Sequence, residues 1–262
     1  MIGVAGCGRM GLPMLAALRD GGTEATGFDV ADKGVDHITT NLMEFAPGLR
    51  TLFSVVRDAG ETDALLFETQ NIVATAPHLT RIFICSTLSP RYVAGLRARV
   101  PPHITLIDAP MSGAQVAAEN RTLSFMLGGT QEVIDDAVPL LALMGQHSHH
   151  MGAYGAGMQA KVLNNLLAAS HTAMTRLVLD WAEAAGLETD RLLALIQTAS
   201  GQNWLASGYE TIEFAKHRYA PDNSIGILVK DVAAALDAAP DGADIALPTQ
   251  VQAAIRRLKP RA

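Results

Sequence analysis

The stretch Gly6-Cys7-Gly8-Arg9-Met10-Gly11 decides the fold. It follows an apolar run, Ile2 to Gly6, that reads as a strand. It opens a helix-like segment, Leu12 to Arg19, closed by Gly21-Gly22. In this order each glycine has a task. The first permits a tight turn, the second lets the backbone approach a pyrophosphate, and the third allows close helix–strand packing. The helix start adds unpaired N–H groups and the positive end of its dipole, which suit phosphates. A second strand, Glu24 to Val30, carries Asp29 about 18 residues beyond Gly11, close to the ~20 expected of a ribose-binding acid. A carboxylate there accepts from ribose hydroxyls and repels a 2′-phosphate. Neither Val30 nor Ala31 is a cation that would hold one. The residues point to NAD, with NADP disfavoured.

Working outward, Leu49 to Val56, Ile82 to Cys85, Ile104 to Ile107 and Leu123 to Leu127 read as further strands, with a helix from Pro90, a residue suited to a first helical turn. Strands alternating with helices predict a parallel, doubly wound sheet of the Rossmann type over residues 1–152. After Gly157 the pattern changes. Met158, Val162, Leu163, Leu166, Leu167, Met174, Leu177, Val178 and Trp181 are spaced for one long helix, apolar on more than one narrow stripe and so expected to be buried on most sides. Helical patterns continue at Thr189 to Thr198, Ser207 to Lys216, Ile225 to Ala238 and Thr249 to Leu258. Gly186, Gly201, Pro221, Pro240-Asp241-Gly242 and Pro248 punctuate them. The expected architecture is α/β, with an all-α domain at 153–262 joined through the long helix.

Composition bounds the function. The chain has 262 residues, of which 49% are hydrophobic and 18% charged, so it is a folded chain with a large core. Mean hydropathy is +0.19, yet no stretch approaches the ~20 apolar residues of a bilayer span, and no membrane partner is expected. Net charge is −6 with no basic stripe, which disfavours nucleic acid. The start, Met1-Ile2-Gly3-Val4-Ala5, shows no basic leader, so no signal peptide is expected. Two cysteines, Cys7 and Cys85, fit a reducing, cytoplasmic setting better than a disulfide framework.

Two more segments carry chemistry. Asp108-Ala109-Pro110-Met111-Ser112-Gly113-Ala114 follows the fifth strand, and ligands of open parallel sheets bind beyond the carboxyl ends of strands. Ser112 offers a hydroxyl, and the Ser112-Gly113-Ala114 backbone can aim successive N–H groups at an anion. Taken alone, this is also an ordinary turn. Gly152-Ala153-Tyr154-Gly155-Ala156-Gly157 leads into the long helix, where Lys161 and Asn165 stand four apart on one face. A polar pair in an apolar segment must be satisfied or it is costly. The plainer alternative is a lysine reaching to solvent from a helix start.

Together these segments resemble the β-hydroxyacid dehydrogenase family over nearly the whole chain. Gly6 to Met14 is similar to its cofactor loop, Asp108 to Ala114 to its substrate-binding DAPVSGG segment, and Gly152 to Asn165 to its GxxGxGxxxKxxNN segment, whose lysine is catalytic. Ser86-Thr87-Leu88-Ser89-Pro90 resembles its STISP loop, and Lys230-Asp231 its C-terminal KD pair. The resemblance implies cofactor contacts from Gly6, Gly8, Arg9, Met10, Gly11, Asp29, Val56, Thr87 and Lys230. It implies substrate contacts from Ser112, Gly113, Ala114 and Asn165, catalysis by Lys161, and no metal. The chain departs from the pattern at Ala114 and Arg121, where glycine is usual, at Val56-Arg57 where Leu-Pro is common, and in a shortened segment between Asp29 and Leu49.

The implied reaction is reversible oxidation of a small 3-hydroxy acid to its semialdehyde or oxo acid. The hydroxyl proton needs a positioned acid/base, and a lysine with its pKa lowered by burial suits that task. An NADPH-dependent reductase of small semialdehydes, an imine reductase and a non-catalytic dinucleotide-binding protein are the alternatives. Lys161 weighs against the last two. A helical domain of about 110 residues built on so apolar a helix is not expected to bury it alone, which predicts a homodimer or homotetramer through that domain. His147, Ser148, His149 and His150 read as part of a polar strand rather than a metal site, and Trp204 and Met174 as packing or interface residues.

Overall fold

The computed structural model describes residues 1–219 and 224–261. Pro221, read above as a loop breaker, lies outside the described residues. The chain packs as two compact units, Met1–Lys161 and Val162–Ala262.

The first unit begins with β1 (Ile2–Ala5), α1 (Gly11–Asp20), β2 (Ala25–Phe28), β3 (Ile38–Thr39), α2 (Leu42–Phe45) and β4 (Thr51–Ser54). It continues with α3 (Ala59–Leu66), α4 (Ile72–Thr75), β5 (Arg81–Ile84), α5 (Pro90–Arg99) and β6 (Thr105–Asp108). Its last elements are β7 (Met111–Ser112), α6 (Ala114–Glu119), β8 (Leu123–Gly128), α7 (Gln131–Leu141), β9 (Gly145–Gly152) and the first turns of α8 (Ala156–Ala184). The strand order is β3-β2-β1-β4-β5-β6-β8-β7, with β9 paired to β8. From β3 to β6 every pairing is parallel.

Period-two alternation builds a core on each face of this sheet. Val4, Phe53, Phe83 and Ile107 pack on one side. Ala5, Leu52, Ile82, Ile84 and Leu106 pack on the other. Both sets are almost fully buried, as a sheet covered on two faces requires. Phe53 and Phe83 are adjacent in register and stack with ring centroids 4.4 Å apart. Helix starts are fixed by local chemistry. Ser89 caps α5 ahead of Pro90, and Asp58 caps α3 through the Glu61 N–H.

The sheet is not parallel throughout, which corrects the expectation. β8 runs antiparallel to β6 and β7. The physical reason is connection length. After β6 the chain bends at Pro110 straight into β7, and only α6, six residues long, precedes β8. At about 1.5 Å per residue that helix is too short to return the chain along a strand for a parallel crossover, so it reverses instead. The sequence reading also passed over α3, α7 and the small β3, α2 and α4. In α3, β3, α2 and α4 the apolar residues are too few or too broken by polar ones to show a period, whereas α7 does show one, in Ile134, Ala137 and Leu141.

In the second unit, the remainder of α8 is followed by α9 (Thr189–Thr198), α10 (Trp204–Ser207), α11 (Ser224–Asp237) and α12 (Ala246–Arg256). Leu179, Leu193, Leu205, Ile212, Phe214, Ile225, Val232 and Ile255 are among its core residues. The expected helix at Ser207 to Lys216 is not there; α10 ends at Ser207 and turns follow. The carbonyls at its end, Ala215 O and Lys216 O, go to distant donors. Arg176, 1% exposed, donates to the carbonyl oxygens of Ala215 (2.9 Å) and His217 (2.8 Å) and also to that of Lys259. Arg261 N–H donates to Lys216 O at 2.7 Å. Among the described residues the terminal nitrogens of this buried guanidinium are met by carbonyls while its Nε has no partner, and holding it outweighs a weak helical period. Pro248 falls within the first turn of α12, where its missing N–H costs nothing. Among the described residues no helix is long and apolar enough to cross a membrane. Nor is α8 buried on most sides in the single chain. Leu163, Leu167, Met174, Leu177 and Trp181 are exposed, Trp181 at 68%.

Candidate active site

The glycine loop leaves β1 where the sheet order reverses, between β2 and β4, the position at which open α/β sheets bind ligands. Gly6 has φ +91°, and a Cβ there would lie 2.6 Å from Val55 O. A Cβ on Gly11 would lie 2.0 Å from Gly6 O. Both positions therefore exclude side chains. Above Gly8 there is open space, with no atom within 4 Å of such a Cβ. No side chain caps the start of α1 at Met10, after Arg9, which leaves that end for an anion. Asp29, just past β2, accepts the Cys7 N–H at 2.9 Å and the Ala31 N–H at 3.0 Å. The acid and the loop are thus held as one piece. An open second glycine, an uncapped helix start and a carboxylate fixed beside them fit a dinucleotide's phosphates and ribose.

Val56 and Ser86, the residue before Thr87, meet across the ends of β4 and β5. Ser86 Oγ donates to Val56 O at 2.6 Å, and Leu88 N–H points at Met158 Sδ, 3.4 Å away. Thr87, half-buried, is carried between these two anchors. Met158 lies in the first turn of α8, and Lys161 follows one turn later, 6% exposed.

The link that sequence reading missed is Asp108. It ends β6, is fully buried, and its carboxylate accepts the N–H groups of Gly155 (2.7 Å) and Met158 (2.6 Å). Two glycines make room for it. A Cβ on Gly128 would lie 2.0 Å from Asp108 Oδ1, and one on Gly157 would lie 2.9 Å from Oδ2. Burial raises the Asp108 carboxyl above its ordinary range, and the N–H donors of Gly155 and Met158 pull it back. Asp108 therefore opens the segment bearing Ser112 and caps the helix bearing Lys161. An acid ending an apolar strand was the available signal. Ser112 pairs with Ser124 across β7 and β8. Gly113 (φ +133°) and Ala114 (φ +58°) then turn sharply into α6.

Within the second unit, Asn165, 7% exposed, donates through Nδ2 to Asp231 Oδ2 at 2.6 Å. Asp231 is itself 2% exposed, and Lys230 Nζ lies 3.7 Å from its Oδ1. Half of the Asn165 amide is thus committed to a carboxylate that the sequence reading assigned no role. Arg121 is an ion-pair partner of Asp20 and sits at φ +59°, a backbone conformation suited to the glycine usual there. His147 and His149 lie on the outer strand β9 with ring centroids 6.1 Å apart, and His150 is held by Gln131, Gly129 O and Gly152 O. Among the described residues no group of three metal-ligating side chains forms. Cys7 and Cys85 are buried free thiols.

Strand order and the glycine loop, with Asp29 fixed beside it, define a dinucleotide-binding protein of the Rossmann class. Residues 1–152 match the family model for the NAD binding domain of 6-phosphogluconate dehydrogenase. Residues 155–260 match the one described as NAD-binding of NADP-dependent 3-hydroxyisobutyrate dehydrogenase. The chain is 30% identical over 216 residues to an NAD-dependent L-serine dehydrogenase of Pseudomonas aeruginosa, covering 79% of this chain and 72% of that one. It is 30% identical over 251 residues to a 3-hydroxyisobutyrate dehydrogenase of the same organism, covering 90% and 84%. A solved 3-hydroxyisobutyrate dehydrogenase of Mycobacterium tuberculosis with L-serine superposes with a TM-score of 0.78 at 28% identity, covering 96% of this chain and 91% of that one. The chain belongs to the β-hydroxyacid dehydrogenase family, and it is an NAD(P)-dependent oxidoreductase acting on a CH–OH group.

Proposed function

We propose that this enzyme transfers a hydride between NAD(H) and a small 3-hydroxy acid or its semialdehyde, with Lys161 as general acid/base. The observation that carries this reading is the burial of Lys161 one turn beyond a helix start pinned by Asp108. A lysine amine held at a fixed place on this helix can take and return the proton of a substrate hydroxyl. In the oxidative direction the substrate hydroxyl proton passes to Lys161 Nζ. The carbinol C–H bond breaks with its electron pair leaving as hydride, and the C–O bond becomes C=O. When bound, NAD⁺ supplies the hydride acceptor. Ser112, Gly113 and Ala114 receive the substrate carboxylate through a hydroxyl and backbone N–H groups. Asn165, its amide oriented by Asp231, is the substrate contact of the second unit in this reading.

The test is a panel of small 3-hydroxy acids, including 3-hydroxyisobutyrate and L-serine, assayed with NAD⁺ for NADH formation. Turnover of at least one is expected. No turnover of any, in either direction, overturns the reading.

The second unit supports a homodimer or homotetramer. Leu163, Leu167, Met174, Leu177 and Trp181 fall on one face of α8 and are exposed in the single chain. A second copy presenting the same face would cover them. Light scattering at micromolar concentration should show no monomer, and a monomeric species counts against this assembly. Two buried free thiols fit the cytoplasm as the compartment.

A further inference from the structure

Beyond β2 the chain does not run straight on. The Ala31 N–H bond to Asp29 Oδ1 curls residues 29–31 into a turn outside any helix. That turn brings back a cation which inspection of Val30 and Ala31 alone does not reveal. Lys33 Nζ lies 3.3 Å from Asp29 Oδ2, the oxygen that also accepts the Cys7 N–H. The Asp29 side chain is 12% exposed and that of Lys33 is 30% exposed, so the pair is partly screened from water. Arg57, whose closest carboxylate partner is Glu61, is near enough to sense the Asp29 charge as well.

An acid at this position discriminates against a 2′-phosphate because two negative groups are forced together. Here the acid already holds an ammonium group at ion-pair distance. We propose that Lys33 is a specificity-determining residue: it offsets Asp29 and offers a cationic partner to a 2′-phosphate, so that the site takes NADP(H) as well as NAD(H). The Asp29 carboxylate keeps lone pairs for ribose hydroxyls when no phosphate is present. When one is, the lysine swings its flexible stem from carboxylate to phosphate. The inference rests on the glycine loop and Asp29 holding the adenosine half of the cofactor.

The test is binding rather than turnover. NADH and NADPH are titrated separately into wild type, Lys33→Ala and Lys33→Arg by calorimetry or by nucleotide fluorescence. 5′-ADP and 2′,5′-ADP serve as probes of the adenosine half alone. Wild type should bind NADPH within about tenfold of NADH. In Lys33→Ala the ratio of NADPH to NADH affinity should fall by roughly tenfold, as loss of one charge-assisted contact predicts. The 2′,5′-ADP to 5′-ADP ratio should fall in parallel, and Lys33→Arg should keep both ratios. NADPH binding should also weaken more steeply with salt than NADH binding. Wild type that binds NADH but not NADPH overturns the proposal, as does an unchanged ratio in Lys33→Ala, while leaving the dinucleotide site intact. Failure of wild type to bind either nucleotide removes that site and the proposal together.

Discussion

The Asp108 carboxylate accepts the backbone N–H of Met158 at 2.6 Å, across fifty positions of sequence. With the Gly155 N–H at 2.7 Å, this bond ties the end of β6 to the first turn of α8. The helix dipole strengthens such a cap. An amide in its place meets two N–H donors with only one acceptor oxygen, and its own NH2 then faces a donor. Asp108→Asn should therefore lose about 2–3 kcal/mol of stability, measured by urea unfolding. As a positioning residue, Asp108 should show a split in kinetics. We expect kcat to fall by about tenfold or more while NADH affinity changes far less. Equal loss of both would leave Asp108 a purely structural residue. Asp108→Glu should not rescue, because Gly128 and Gly157 leave no room for another methylene.

Lys161→Ala removes the proposed proton carrier and leaves the glycine loop untouched. The turnover number should drop by roughly 10²–10⁴, the range for a lost general acid/base. NADH should still bind, as followed by fluorescence titration. Near-normal turnover in this variant would remove Lys161 from the chemistry.

Ala114 sits at φ +58°, directly after Gly113 at φ +133°. A left-handed alanine costs about 1–2 kcal/mol, and glycine relieves it at some loss to unfolded-chain entropy. Ala114→Gly should raise stability by about 0.5–1 kcal/mol, seen as a higher urea midpoint at unchanged slope. Arg121 at φ +59° should gain less from the same change, because it gives up its ion pair with Asp20.

Burial pushes the Cys7 thiol from an ordinary 9.0 up to about 12 and raises Cys85 as well. Burial also raises Tyr92 and Tyr154. In each case the folded chain keeps a proton that the unfolded chain gives up first. Stability from these groups is complete below the unfolded values and is lost as pH rises beyond about 9. The unfolding temperature should fall steadily between about pH 9 and pH 11, and Cys85→Ala should flatten that fall. Native protein should also react slowly with thiol reagents at about pH 8, since the thiolate is the nucleophile. Fast labelling of both cysteines would contradict the burial.

Much of the site was legible because its parts are local. Gly11 packs on Gly6 within one turn, Gly6 takes a positive φ, and Gly8 lies open beside them, so the three show as one short spacing in the chain. Lys161 and Asn165 follow one helix period. Asp108, Asp231 and Lys33 were not legible as partners. Asp108 meets its donors across the sheet edge, and Asp231 meets Asn165 across sixty-six positions. The Asp29 to Lys33 spacing looks helical, but the pair forms at a turn outside any helix. The false helix at Ser207 to Lys216 has the same origin. Local period favoured it, while Arg176, distant in sequence, took the Ala215 carbonyl near its end and the His217 carbonyl just past it.

The sequence by itself determined the class of fold, and it displays the glycine loop, the acid after the second strand and the lysine of the long helix. These depend on periodicity, glycine conformation and short-range spacing, which one chain displays openly. Only the tertiary structure decided that β8 reverses, that Asp108 fastens the start of α8 to the sheet, that Asp231 fixes Asn165, and that Lys33 returns to Asp29. Those outcomes depend on which distant groups meet once the core is buried. A buried carboxylate or guanidinium takes whatever partners packing brings within hydrogen-bond reach, because leaving it unsatisfied costs more than the local preference it overrides.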